Sequence, residues 1–140
     1  MYRKDYILRM IEMFGEMLRG ILGMIRKKKY EEASEAIENA YSELLQQSSS
    51  EILKLSPDNL PGILQSEYNY NQQQLEIVAG LLFAEGELDY AKNDFSHSLI
   101  NYQKSIIILK YLDQEQKIYS LEHQNRIAQI ENRIKELATQ

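Results

Sequence analysis

Lys28-Lys29-Tyr30-Glu31-Glu32-Ala33 and Asn93-Asp94-Phe95-Ser96-His97-Ser98 are the two stretches that decide the fold. They superpose at an offset of 65 residues, and downstream of them Ile37 then lies over Tyr102 and Ala40 over Ser105. Each stretch separates two segments with helical apolar spacing, so the chain is expected to double back at both places. The steric reason is the small side chain at Ala33 or Ser98. It lets the second helix cross close to the first, while the larger Tyr102 fills the next gap.

Outward from the first junction, residues 5–27 predict a helix with a narrow polar stripe of Arg9, Glu12, Glu16, Arg19, Gly23 and Arg26. Ile7, Leu8, Ile11, Phe14, Leu18, Ile21, Leu22 and Ile25 form one face, and Met10, Met13, Met17 and Met24 widen it, so burial on more than one side is expected. Residues 30–47 predict a second helix with Ala33, Ile37, Ala40, Tyr41, Leu44 and Leu45 inward. A connection over 48–71 holds Pro57, Pro61, a capping-box pattern Ser48-x-x-Glu51 and a short helix near Leu60–Gln65. A second hairpin then occupies 72–112. Its first helix buries Leu75, Val78, Ala79, Leu82 and Phe83, and its second runs from Asp94 to Leu112. Ile127, Ile130, Ile134 and Leu137, spaced 3-4-3, make the single seam of a capping helix over 114–138.

Composition agrees. A 140-residue chain with 44% hydrophobic and 26% charged residues is one domain, here residues 1–140. Gly and Pro, 6 and 2 in number, are too few for the turns of an all-β chain, so the class is all-α. The absence of cysteine removes disulfides, thiolate metal sites and cysteine nucleophiles. Charged residues interrupt any signal-peptide core near the N-terminus and no apolar run reaches spanning length, so a cytoplasmic protein without a transmembrane segment is expected.

The second junction resembles a tetratricopeptide repeat, whose hairpin has a Gly-Asp-Tyr-like turn followed by small, aromatic and small residues. Asn93-Asp94-Phe95, Ser98, Tyr102 and Ser105 carry the resemblance, and Gly86 falls where the repeat's first helix has its small residue. Glu85 and Asp89 stand where the repeat prefers Leu and Tyr. The resemblance covers roughly residues 5–45 and 75–112. The opening Arg3-Lys4-Asp5-Tyr6-Ile7-Leu8-Arg9, with the later hairpin, is also similar to a small bacterial family of uncharacterised repeat-like proteins. It implies antiparallel hairpins stacked as a right-handed array, whose first helices line a peptide-binding groove. Gly80, Phe83, Glu87 and Tyr90 would face that groove in one unit, and Gly15, Leu18, Leu22, Ile25 and Arg26 in the other. The latter are too apolar to stay wet, so another helix of the chain or a second copy must cover them.

Catalysis finds little support. His97 and His123 lack metal-ligand spacing, Asp94 and His97 are expected to be a surface pair one turn apart, and no phosphate loop, nucleophile elbow or zinc motif occurs. Glu85, Glu87 and Asp89 suggest a solvated acidic face, or less simply a peptide or cation site. Tyr41, Tyr102 and Tyr111, at helical spacing, are expected in the core with their hydroxyls at the surface, although Tyr68 and Tyr70 could stack on a ligand. No cofactor and no metal are expected. The charge is divided: residues 1–30 hold 8 Lys/Arg against 3 Asp/Glu, and the remainder 8 against 18. Arg26, Lys27, Lys28 and Lys29 complement a helix C-terminus, or alternatively contact nucleic acid or an anionic membrane surface. The acidic body argues against nucleic acid as the main partner. The expectation is a non-enzymatic module that binds a protein or peptide and self-associates through helix one.

Overall fold

The computed structural model describes residues 2–116 and 120–139, with side chains over 9–115 and 120–139. The chain is all-helical: α1 Tyr2–Arg26, α2 Tyr30–Ala40, α3 Ser49–Leu53, α4 Leu60–Ser66, α5 Gln72–Ala91, α6 Phe95–Gln116 and α7 Leu121–Ala138. Both quoted junctions are turns of the same construction. Lys28 and Asn93 adopt the left-handed conformation, with φ 63° and 65°. Around each, the helix end closes with a pair of reversed hydrogen bonds. Lys29 N donates to Met24 O and Lys28 N to Ile25 O; Asp94 N donates to Asp89 O and Asn93 N to Tyr90 O. These are Schellman motifs in identical register, and each starts the next helix at once. Ala33 N donates to Lys29 O and Ser98 N to Asp94 O, both at 3.0 Å.

α5 is the centre of the molecule. Its Leu75, Val78, Ala79, Leu82 and Phe83 are buried as expected, but so are Ile77, Leu81 and Leu88, because α1, α2, α6 and α7 all pack on it or around it. Two glycines set how close the neighbours come. A Cβ on Gly80 would lie 2.5 Å from Phe14 Cζ of α1, and one on Gly86 would lie 2.7 Å from Tyr102 Cδ1 of α6. Serines complete the α5–α6 contact: Ser98 Oγ donates to Gly86 O at 2.8 Å and Ser105 Oγ to Ala79 O at 2.7 Å. A side chain this short lets the backbones approach and also fills the spare acceptor site of a helix carbonyl.

Several expectations need correction. The second helix does not continue as an α-helix to Gln47; Tyr41–Leu45 winds as a π-helical turn and Gln46 ends it at φ 52°. Ser48 and Glu51 form no capping box: Ser48 makes no side-chain cap, and the Glu38 carboxylate accepts from Ser49 N instead. The box that does form belongs to α5, between Asn71 and Gln74. Residues 114–116 belong to α6, and α7 begins at Leu121. α1 packs on both α5 and α2, as expected, burying Phe14, Leu18, Ile21 and Ile25 and partly burying Met10, Met17, Leu22 and Met24, but it leaves Ile11 40% and Met13 56% exposed. Ile7 and Leu8 lie outside the residues whose side chains are described. In the connection, Tyr70 is buried and donates to Leu45 O at 3.0 Å, with Tyr68 tilted against it, so both tyrosines are structural.

Candidate functional site

α1, α5 and α7 lie side by side and point the same way. Along α5, Gly80 meets Phe14 and the C-terminal residues meet Leu22 to Arg26; Glu76 meets His123, Phe83 meets Arg126 and Tyr90 meets Arg133 and Glu136. Between their C-terminal ends is a groove of about 430 Å³. Leu22 and Ile25 of α1 and Tyr90 of α5 give it an apolar floor, and Arg26, Glu87 and Arg133 stand around them.

The charges at the groove are unequally committed. Glu87 accepts a hydrogen bond from the Tyr102 hydroxyl at 2.8 Å and pairs with Arg133 at 3.5 Å. Arg133 also pairs with Glu136 and lies 4.2 Å over the Tyr90 ring, while the Tyr90 hydroxyl donates to Glu136 at 3.0 Å. A guanidinium stacked on a ring and bonded to carboxylates is held in place, so this wall is preorganised. Arg26 is exposed and has no ion pair among the described residues. Arg26 is therefore the cation at the groove that stands outside these pairs, while Arg133 is shared between the Glu87 and Glu136 carboxylates.

Of the residues singled out from sequence, Leu22, Ile25, Arg26, Glu87 and Tyr90 come together here. Two do not line it. Leu18 is buried under Gly80, and Phe83 is 2% exposed, packed against Tyr102 with the Arg126 guanidinium 5.3 Å above its ring. Lys27, Lys28 and Lys29 form the exposed turn beside Arg26. Arg133 was not foreseen, since the repeat pattern covers only the hairpins; its spacing from Ile130 and Ile134 on an otherwise polar helix is the signal that was present.

Other polar groups inside the fold were also missed. The acidic residues of α5 are not a solvated face. Burial pushes the Glu85 carboxyl up to about 7, helped by Asp89 and Glu38, and burial likewise raises Asp89, whose carboxylate accepts from Asn101 at 2.9 Å. Nor do all the core tyrosines present their hydroxyls at the surface: Tyr41 is fully buried, and its hydroxyl has no hydrogen-bond partner among the described residues. His123, nearly buried on α7, bonds through Nε2 to Glu76 of α5 and through Nδ1 to Asp113 of α6 at 2.7 Å. The hydrogen bond to Glu76 is the main cause that raises its imidazole to about 9, so both ring nitrogens donate at neutral pH. Lys104 threads its ammonium to Leu53 O at 2.7 Å and ties α6 to α3. By contrast Asp94 and His97 are an exposed pair at 2.8 Å, as expected.

Among the described residues no cluster of three or more His, Asp or Glu side chains is placed to hold a metal ion, and no helix is long and apolar enough to cross a membrane. Compared with protein-family models, with curated proteins and with solved structures, the chain has no match.

Proposed function

We propose that the chain is a non-enzymatic, tetratricopeptide-like module in which α1–α2 and α5–α6 are successive hairpins of a right-handed array and α7 is the cap. Its groove between α1, α5 and α7 takes an extended peptide or protein segment. The observation that carries this reading is the juxtaposition of Leu22, Ile25 and Tyr90 beneath Arg26 and Arg133. An apolar floor flanked by a few fixed polar groups is the usual build of a recognition site. Because Glu87 is engaged by Tyr102 and Arg133 while Arg26 carries no ion pair among the described residues, an acidic segment with apolar anchors fits better than the basic peptide suggested by the glutamate alone. The module also self-associates through α1. A fluorescence-anisotropy screen of extended peptides, acidic and basic, tests the groove. Binding of acidic peptides, lost in Leu22→Glu and retained in Asn132→Ala, is the expected result. No binder up to about 100 μM, roughly −5.5 kcal/mol of affinity, ends the reading.

A second reading rests on the exposure of Arg26, Lys27, Lys28 and Lys29, none of which is ion-paired among the described residues. Here the turn would meet an anionic membrane surface or nucleic acid. Co-sedimentation with anionic vesicles and a salt titration against duplex DNA separate this from the groove reading, since only here would affinity fall steeply with salt and be lost on replacing the three lysines.

A further inference from the structure

The side of α1 turned away from α5 carries a second seam. Met13, Met17, Gly20 and Met24 follow one another at 4-3-4 spacing, the period of a helix-packing stripe. Met17, Gly20, Ile21 and Met24 line a depression of about 320 Å³ against Ala36 and Asn39 of α2 and Glu43 of the π-helical turn, and Met10 and Met13 line a neighbouring one of about 490 Å³ that Glu43 also borders. The opposite end of the molecule is closed differently, for α7 turns Gln124, Asn125, Glu131 and Asn132 outward. Gly20 is the informative position. A Cβ there would meet nothing within 4 Å among the described residues, so none of them needs a glycine at this position, although it costs the helix about 1 kcal/mol relative to alanine.

Resting on the reading that the chain self-associates through α1, we propose that this seam is the interface of a two-fold symmetric dimer in which the two α1 helices cross antiparallel at Gly20. In that arrangement the seam complements itself. Met17 and Met24 of one copy flank the gap left by the other's Gly20. Glu16 on one side of the seam comes within a turn of Lys27 from the second copy, and symmetry makes the same pair twice. A parallel pairing would set Glu16 against Glu16 and Lys27 against Lys27. Methionine suits such a contact because its unbranched side chain fills irregular depressions.

The chain has no cysteine, so Gly20→Cys introduces a single reporter. With helix axes roughly 8–10 Å apart and each Cα about 2.3 Å from its axis, the facing Cα atoms fall at about 3.5–5.5 Å, within disulfide reach. Oxidation is expected to give a covalent dimer from Gly20→Cys and none from Asn132→Cys. Light scattering at tens of micromolar protein is expected to show a dimer. Glu16→Lys and Lys27→Glu should each weaken it about tenfold by replacing two attractions with repulsions, and the double charge swap should restore it. A monomeric wild type overturns both this interface and self-association through α1. A dimer that neither crosslinks through Gly20→Cys nor recovers in the double swap overturns this interface alone. Peptide binding measured on the same variants reports on the groove independently.

Discussion

Glu85 shows at single-residue scale how a polar side chain is tolerated where the repeat pattern calls for leucine. Its carboxyl sits half-protonated near neutrality because burial, Asp89 and Glu38 all disfavour the anion. Glu85→Gln is therefore expected to raise the thermal midpoint at pH 8 and to change it little at pH 5, where the native carboxyl is already protonated. A rise of the same size at both pH values would show that charge is not what the substitution relieves. The α5–α6 contact gives a steric counterpart. Ser98→Leu would drive a branched side chain into a fully buried position and remove the hydrogen bond to Gly86 O, and Gly86→Val would push into Tyr102. Each is expected to cost roughly 1–3 kcal/mol in denaturant unfolding. Because the two residues touch, the double variant should cost less than the sum.

Among elements, the turns are the most informative. Lys28 holds a left-handed conformation without being glycine or asparagine, at a cost of roughly 1–2 kcal/mol. Lys28→Gly should recover about 1 kcal/mol, seen as a higher thermal midpoint, whereas Asn93→Ala at the matching turn should lower it. An unchanged midpoint in both would mean that these turns contribute no strain. The hairpins were legible in the sequence because these turns recur at one register and because Ala33, Ser98 and Tyr102 must differ in size for helices to cross. The groove was half legible. Leu22, Ile25, Arg26, Glu87 and Tyr90 follow from hairpin periodicity, but Arg133 depends on how α7 docks, a long-range matter that spacing within α7 cannot settle. Phe83 and Leu18 were misplaced for a related reason: periodicity identifies an apolar face without showing that α6 or α5 will cover it. The π-helical turn at Tyr41 left no local signal.

For the molecule as a whole, two buried titrating groups act in the same direction. Glu85 binds a proton more tightly folded than unfolded, so stability falls as pH rises from about 4.5 through 7. His123, raised from 6.5 to about 9, contributes stability that is complete below pH 6.5 and disappears as pH rises through 9. Calorimetry is expected to show a midpoint declining from pH 6 to 9.5. Glu85→Gln should flatten the neutral part of that decline and His123→Gln the alkaline part. A midpoint constant across the range would contradict both assignments.

The enclosure of α5 by helices from both sides of it in the chain also matters while the protein is being made. On the ribosome the α1–α2 pair emerges before α5, with Phe14 and Leu18 facing water until residue 91 has cleared the exit tunnel. Nascent chains halted with α1–α2 outside the exit tunnel and residues 72–91 still within it should for that reason be captured by chaperones or precipitate, and release from that hazard should coincide with the appearance of the central helix.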